Sequence, residues 1–178
     1  MTPPANLTAA ENAAADAGPP TGHPAAPASD RHAGAPPSLM LRRHIKAPPG
    51  LVYEAWTRAR QLEKWFGPAG TTTASAELDV RVGGRFFIRF TMGDGEEHGV
   101  GGAYRAVEAG ERLVFDWAWQ STPERVSLVT LRFAPDGDGT LFTLIHEQFF
   151  DEAARDSHEH GWTGCLDRLV AHFEPAGA

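Results

Sequence analysis

From Leu39 to Gln148 apolar and polar side chains alternate through most of the chain, and beyond Asp151 the apolar spacing lengthens to three and four residues. The first pattern is that of half-buried strands, the second that of an amphipathic helix. Leu39, Leu41, Arg43 and Ile45 alternate with Met40, Arg42, His44 and Lys46, which predicts a first strand ended by Pro48-Pro49. A proline in the first turn then opens a helix. Leu51, Val52, Ala55 and Trp56, followed by Leu62, Trp65 and Phe66, have helical spacing interrupted by a small polar stretch, which predicts two short helices stopping at Gly67-Pro68.

From Thr71 to Gln148 the period is two, with turn signals at Gly83-Gly84, Gly93-Asp94-Gly95, Ala109-Gly110 and Asp136 to Gly139. Six further strands follow, seven with the first. The alternation turns Leu78, Val80 and Val82 inward, then Phe86, Ile88 and Phe90, then Val100 and Tyr104. It continues with Phe115, Trp117 and Trp119, with Val129, Leu131 and Phe133, and with Phe142, Leu144 and His146. Arg89, Thr91, Arg105, Asp116, Arg132 and Thr143 point outward. Asp151 is placed to cap a final helix reaching about Phe173, with Glu152 favourable in its first turn. On that helix His158, Trp162, Cys165, Leu169 and Phe173 form one stripe, with Leu166 at its edge. A curved antiparallel sheet closed by this helix would enclose a cavity.

Composition separates this body from what precedes it. Residues 1–37 are rich in Ala, Pro and Gly and hold one leucine, Leu7, too little apolar surface to offset the entropy of ordering, so a disordered tail is expected there. A domain over 38–174 and a short C-terminal tail over 175–178 complete the expected organisation. Met40 is a second candidate initiator. The 178 residues, 42% of them hydrophobic, suffice for one core. The chain shows neither a signal-peptide pattern nor a stretch long and apolar enough to span a membrane, so a cytoplasmic protein is expected. Net charge is −7; Glu11, Asp16 and Asp30 against Arg31 leave −2 on the tail and −5 on the domain, which argues against a non-specific nucleic-acid role.

The order strand, two short helices, six strands and long helix comes with particular motifs. They are Trp65-Phe66-Gly67-Pro68, Asp79 through Arg85, Arg112-Leu113-Val114-Phe115-Asp116-Trp117, and Gly161-Trp162 through Leu169. Together these resemble the heat-shock protein 90 ATPase activator homologue family of the SRPBCC, or START-like, superfamily, over about residues 38–174. The resemblance implies an α+β helix-grip fold: a seven-stranded curved antiparallel sheet around a long C-terminal helix, with two short helices after strand 1. It also implies a hydrophobic cavity between sheet and helix. The superfamily includes lipid carriers, hormone receptors, aromatic cyclases and co-chaperone domains, so fold does not fix function. The co-chaperone that names the family carries a separate N-terminal client-binding domain. The segment preceding the domain here reads only as a tail. The tryptophan pair often found before Gly-Pro in the family is Trp65-Phe66 here.

The expected cavity lining is Phe86, Phe90, Tyr104, Phe115, Trp117, Trp119, Phe133 and Phe142 from the sheet, with His146. The helix adds His158, Trp162, Cys165 and Leu169. Gly99, Gly101 and Gly102 on the fourth strand, and Gly161 and Gly164 on the helix, either remove bulk from that cavity or mark close backbone approach. Such a lining suits a small hydrophobic or aromatic ligand. His146 and His158 are the candidates for acid–base work, with His98, Tyr104 and Glu147 behind them. For each histidine the favoured reading is a hydrogen-bonded structural group. Cys165, the one cysteine, reads as a small buried hydrophobe. His158-Glu159-His160 sets its imidazoles two apart, on different helix faces, so no metal is expected. No phosphate loop, dinucleotide fingerprint or serine-nucleophile elbow occurs, and no cofactor is expected. Ligand binding therefore leads, with a cyclase, dehydratase or hydrolase-like activity in the same cavity and a co-chaperone-like interaction module as alternatives. A homodimer is compatible with the sequence.

Overall fold

The computed structural model describes residues 35–174, so the expectations for residues 1–34 and 175–178 fall outside the described residues. The elements are β1 (Leu39–Ile45), α1 (Pro49–Thr57), α2 (Ala59–Leu62), β2 (Thr71–Leu78), β3 (Arg85–Met92), β4 (Glu97–Glu108), β5 (Arg112–Trp119), β6 (Ser127–Asp136), β7 (Gly139–Glu147) and α3 (Glu152–Phe173). The strands form one antiparallel sheet in the order β1-β7-β6-β5-β4-β3-β2. Strands β2 to β7 are a simple meander, and β1 adds to β7 at the far side. The α1–α2 segment therefore carries the chain from one edge of the sheet to the other. This is the helix-grip architecture.

Local chemistry sets the helix boundaries. Pro49 begins α1, where its missing N–H costs nothing. Arg58, extended at φ −110° and ψ 115°, separates α1 from the single turn of α2. The second helix is thus shorter than its apolar spacing suggests, and Trp65 and Phe66 lie just beyond it, both buried. The Asp151 carboxylate accepts from the Ala154 N–H at 2.7 Å, a cap whose loss typically costs about 1 kcal/mol.

The sheet register brings the core residues face to face. Phe133 opposes Phe142, Leu131 opposes Leu144, and Val129 opposes His146. Leu113 opposes Leu131, and Trp117 opposes Ser127. From α3, Trp162, Cys165, Leu166 and Leu169 are buried against this face. Leu166, expected at the stripe's edge, is as buried as Leu169. Arg168 fastens the helix to the segment after α2, its Nε donating to the Trp65 carbonyl and its Nη1 to the Thr71 carbonyl, both at 2.9 Å. Arg43 ties β1 to α3 through Asp167 at 3.1 Å.

Two expectations are corrected. Val82 is 64% exposed, because the strand ends at Leu78 and residues 79–84 form a turn. There the Gly84 N–H donates to the Arg81 carbonyl at 2.8 Å, and Arg81 pairs with Asp79. Val80 also lies beyond the strand, although it still packs against the core. Thr143 lies on the outer face as expected, largely covered in register between Arg42 and Arg132. A register shift between Tyr104 and Ala106 resets the alternation of β4, so that Val107 opposes Leu113 and joins the core.

Candidate functional site

The five tryptophans organise the interior: Trp56, Trp65, Trp117 and Trp162 are buried, Trp119 is partly buried, and each carries a single N–H that can only donate. Three of these donors have protein acceptors. Trp65 Nε1 donates to the Ala55 carbonyl at 3.2 Å, Trp119 Nε1 to His158 Nε2 at 2.8 Å, and Trp162 Nε1 to His146 Nδ1 at 3.0 Å. Trp56 Nε1 and Trp117 Nε1 are buried without an acceptor among the described residues. This difference divides the interior into two regions.

The first region holds the histidines. With Trp162 donating to its Nδ1, a neutral His146 carries its proton on Nε2 and donates to Ser127 Oγ at 2.7 Å. The Ser127 hydroxyl then donates to the Trp117 carbonyl at 3.2 Å. His146 is fully buried, and burial together with nearby His158 holds its pKa well below the usual imidazole value. His158 has the opposite tautomer: Nε2 accepts from Trp119, so Nδ1 donates to the Ala154 carbonyl at 2.7 Å. The two imidazoles stand perpendicular with centroids 5.0 Å apart, and Phe149 packs on both. The ring nitrogens of both histidines are thus committed to protein partners.

The second region lies under α1 and α2. A void of about 10 Å³, room for roughly one water molecule, is bordered by Trp56, Phe86, Tyr104, Phe115 and Trp117 with aliphatic side chains between them. Phe86 meets Phe115 edge-on at 5.2 Å and Tyr104 at 5.7 Å, making an aromatic wall on β3–β5. Burial, with Tyr53 and Asp79 adding to it, pushes the Tyr104 phenol well above its ordinary pKa. Its hydroxyl therefore keeps its proton.

Of the residues expected to line a cavity, Phe86, Tyr104, Phe115 and Trp117 border this void. Trp119, His146, His158 and Trp162 form the hydrogen-bonded region beside it. Phe133 and Phe142 pack beneath α1, against Tyr53 and Trp56 respectively. Phe90 meets Phe66 and His98, and Cys165 and Leu169 are buried on α3. Burial pushes the Cys165 thiol up to about 12. Asp116 pairs with Arg105 on the outer face. Among the described residues no three His, Cys, Asp or Glu side chains converge as metal ligands, and no helix is long and apolar enough to cross a membrane.

Gly102 and Gly164 serve close approach. A Cβ on Gly102 would fall 1.9 Å from the Asp116 carbonyl oxygen, and one on Gly164 would fall 3.0 Å from the Ala69 nitrogen. A Cβ on Gly161 would meet nothing within 4 Å, so this glycine does not shape the interior. Sequence reasoning placed Trp56 on an apolar helix face without assigning it to the cavity. It also passed over Ser127, whose position at the start of a strand gives no sign that it anchors a buried imidazole.

Comparison with known proteins agrees with this architecture. Residues 46–174 match the profile of the family described as Activator of Hsp90 ATPase homolog 1-like protein. No curated protein matches the chain. Among solved structures, a Chromobacterium violaceum protein is 28% identical with a TM-score of 0.70, covering 78% of this chain and 98% of its own. The solution structure of an Arthrobacter aurescens protein is 26% identical, with a TM-score of 0.69 and coverage of 79% and 88%. The AHSA1 protein of Silicibacter pomeroyi is 25% identical, with a TM-score of 0.66 and coverage of 76% and 96%.

Proposed function

The chain belongs to the Activator of Hsp90 ATPase homolog 1-like family, and on that premise we propose that its interior binds a small hydrophobic or aromatic molecule between the sheet and the helices that cover it. The observation that carries this reading is the void on the α1–α2 side, bordered by the aromatic wall of β3–β5. Its free volume is that of about one water, so a ligand enters by displacing side chains and the short α1–α2 segment above them. That segment is the less constrained cover: α2 is a single turn, whereas α3 is fixed by Arg168, Arg43 and a continuous buried stripe. Apolar burial supplies the driving force, at about 25 cal/mol per Å² before ordering costs. The acid–base alternative gains no support from His146 and His158, because their ring nitrogens are already engaged.

Titration with the neutral fluorophore N-phenyl-1-naphthylamine tests the reading. Binding should be saturable at one molecule per chain. Ile88→Phe, which fills the void, should weaken it by about tenfold. Asp167→Asn, at an exposed ion pair on α3, should leave it unchanged. A folded Ile88→Phe protein that binds the fluorophore as well as the wild type would contradict the proposal.

A further inference from the structure

Trp56 and Trp117, whose buried indole N–H groups have no acceptor among the described residues, both border the same void. Trp56 and Trp117 are each 4% exposed, and both indoles pack against Trp162, with centroids 6.2 and 4.8 Å away. The other three tryptophans have acceptors, so the absence of partners is confined to this place. A buried N–H without an acceptor costs about 1–3 kcal/mol, and native interiors hold few of them. Two in one small region call for a partner from outside the chain.

We propose that the molecule bound in this interior is neutral and carries a carbonyl-type oxygen, which accepts from the indole N–H of Trp56, of Trp117, or of both. This rests on the cavity-binding reading above and specifies its ligand class. An indole donates and never accepts, so the pair selects acceptor oxygens over amines and other donor groups. The Tyr104 hydroxyl on the same border offers a third donor. The other described side chains of the border are hydrocarbon, and among the described residues no ionised side chain lines the void, so a carboxylate or ammonium ligand would be desolvated without a counter-charge. The class is therefore a compact aromatic or alicyclic ketone, quinone, ester or lactone.

The test compares 1-indanone with indane, which share a ring skeleton and differ in one carbonyl. Affinities are read by calorimetry, and the five indole N–H signals by nitrogen-15 NMR. The ketone should bind about tenfold more tightly, as one net buried hydrogen bond requires. The Trp56 or Trp117 indole signal should move downfield, while those of Trp65, Trp119 and Trp162 stay nearly fixed. Trp56→Phe or Trp117→Phe should abolish the preference for the ketone while indane binding persists. Should either variant fail to fold, the wild-type indole shifts and affinity ratio decide alone. Equal binding of both probes with unmoved Trp56 and Trp117 signals would overturn the carbonyl assignment and leave cavity binding standing. Binding of neither probe would overturn both.

Discussion

Trp162 on α3 donates its indole proton to His146 Nδ1 on β7 at 3.0 Å, fixing the tautomer of a fully buried imidazole. Helix and sheet are thereby joined by a hydrogen bond as well as by packing. Trp162→Phe keeps most of the ring but leaves the Nδ1 lone pair buried without a donor. The expected loss is about 1–3 kcal/mol of stability, measured by urea unfolding. Stability within 0.5 kcal/mol of the wild type, a margin of about the size of a neutral surface change, would show that the bond contributes little.

The same histidine predicts a pH dependence. Its folded pKa is depressed by burial and then by His158, so below about pH 6.5 the unfolded chain takes up a proton that the folded chain refuses. Stability is constant from this source above that pH and is lost as the pH falls toward the depressed folded value. The slope is at most about 1.4 kcal/mol per pH unit. His172, lowered by partial burial and by Lys64, adds a smaller effect of the same sign. Urea unfolding at pH 7.5 and 5.5 should show the loss in the wild type and much less in His146→Gln, whose amide can accept from Trp162 and donate to Ser127. Identical losses in both proteins would remove His146 from the account.

The two helix glycines should respond in opposite ways to alanine. Gly161 meets no neighbour, so Gly161→Ala should stabilise the protein by about 0.5–1 kcal/mol through helix propensity. Gly164 lies against the Ala69 backbone, and Gly164→Ala must displace it. Thermal unfolding should rank the variants Gly161→Ala, wild type, Gly164→Ala. The reverse order would mean that the segment around Ala69 yields freely.

Cys165 should be inert in the folded protein. With its thiol pushed up to about 12 and no solvent access, it should resist a disulfide reagent at pH 8 and react fully once denatured. Fast labelling without denaturant would indicate that α3 lifts from the sheet.

Much of this architecture was legible because period and turn chemistry agree. Leu131, Phe133, Phe142 and Leu144 alternate without interruption and pair across β6 and β7. Trp162, Cys165 and Leu169 keep helical spacing behind an aspartate cap. Errors arose where a local event broke the period, as in the turn that exposes Val82. The candidate site was harder to read. Aromatic residues line the void and also fill the regions without one, so periodicity could not separate Phe86 from Phe133. Which indoles lack acceptors depends on rings brought together from α1, β5, β7 and α3, a relationship no linear spacing encodes.

The most direct test of interior binding is a set of intermolecular NOEs between naphthalene and the carbon-13-labelled methyl groups of the protein. Binding in the void predicts NOEs from naphthalene to Leu62, Ile88 and Leu113, which border it. NOEs confined to exposed apolar residues such as Val82 and Val126, or no NOEs at saturating probe, would contradict the account.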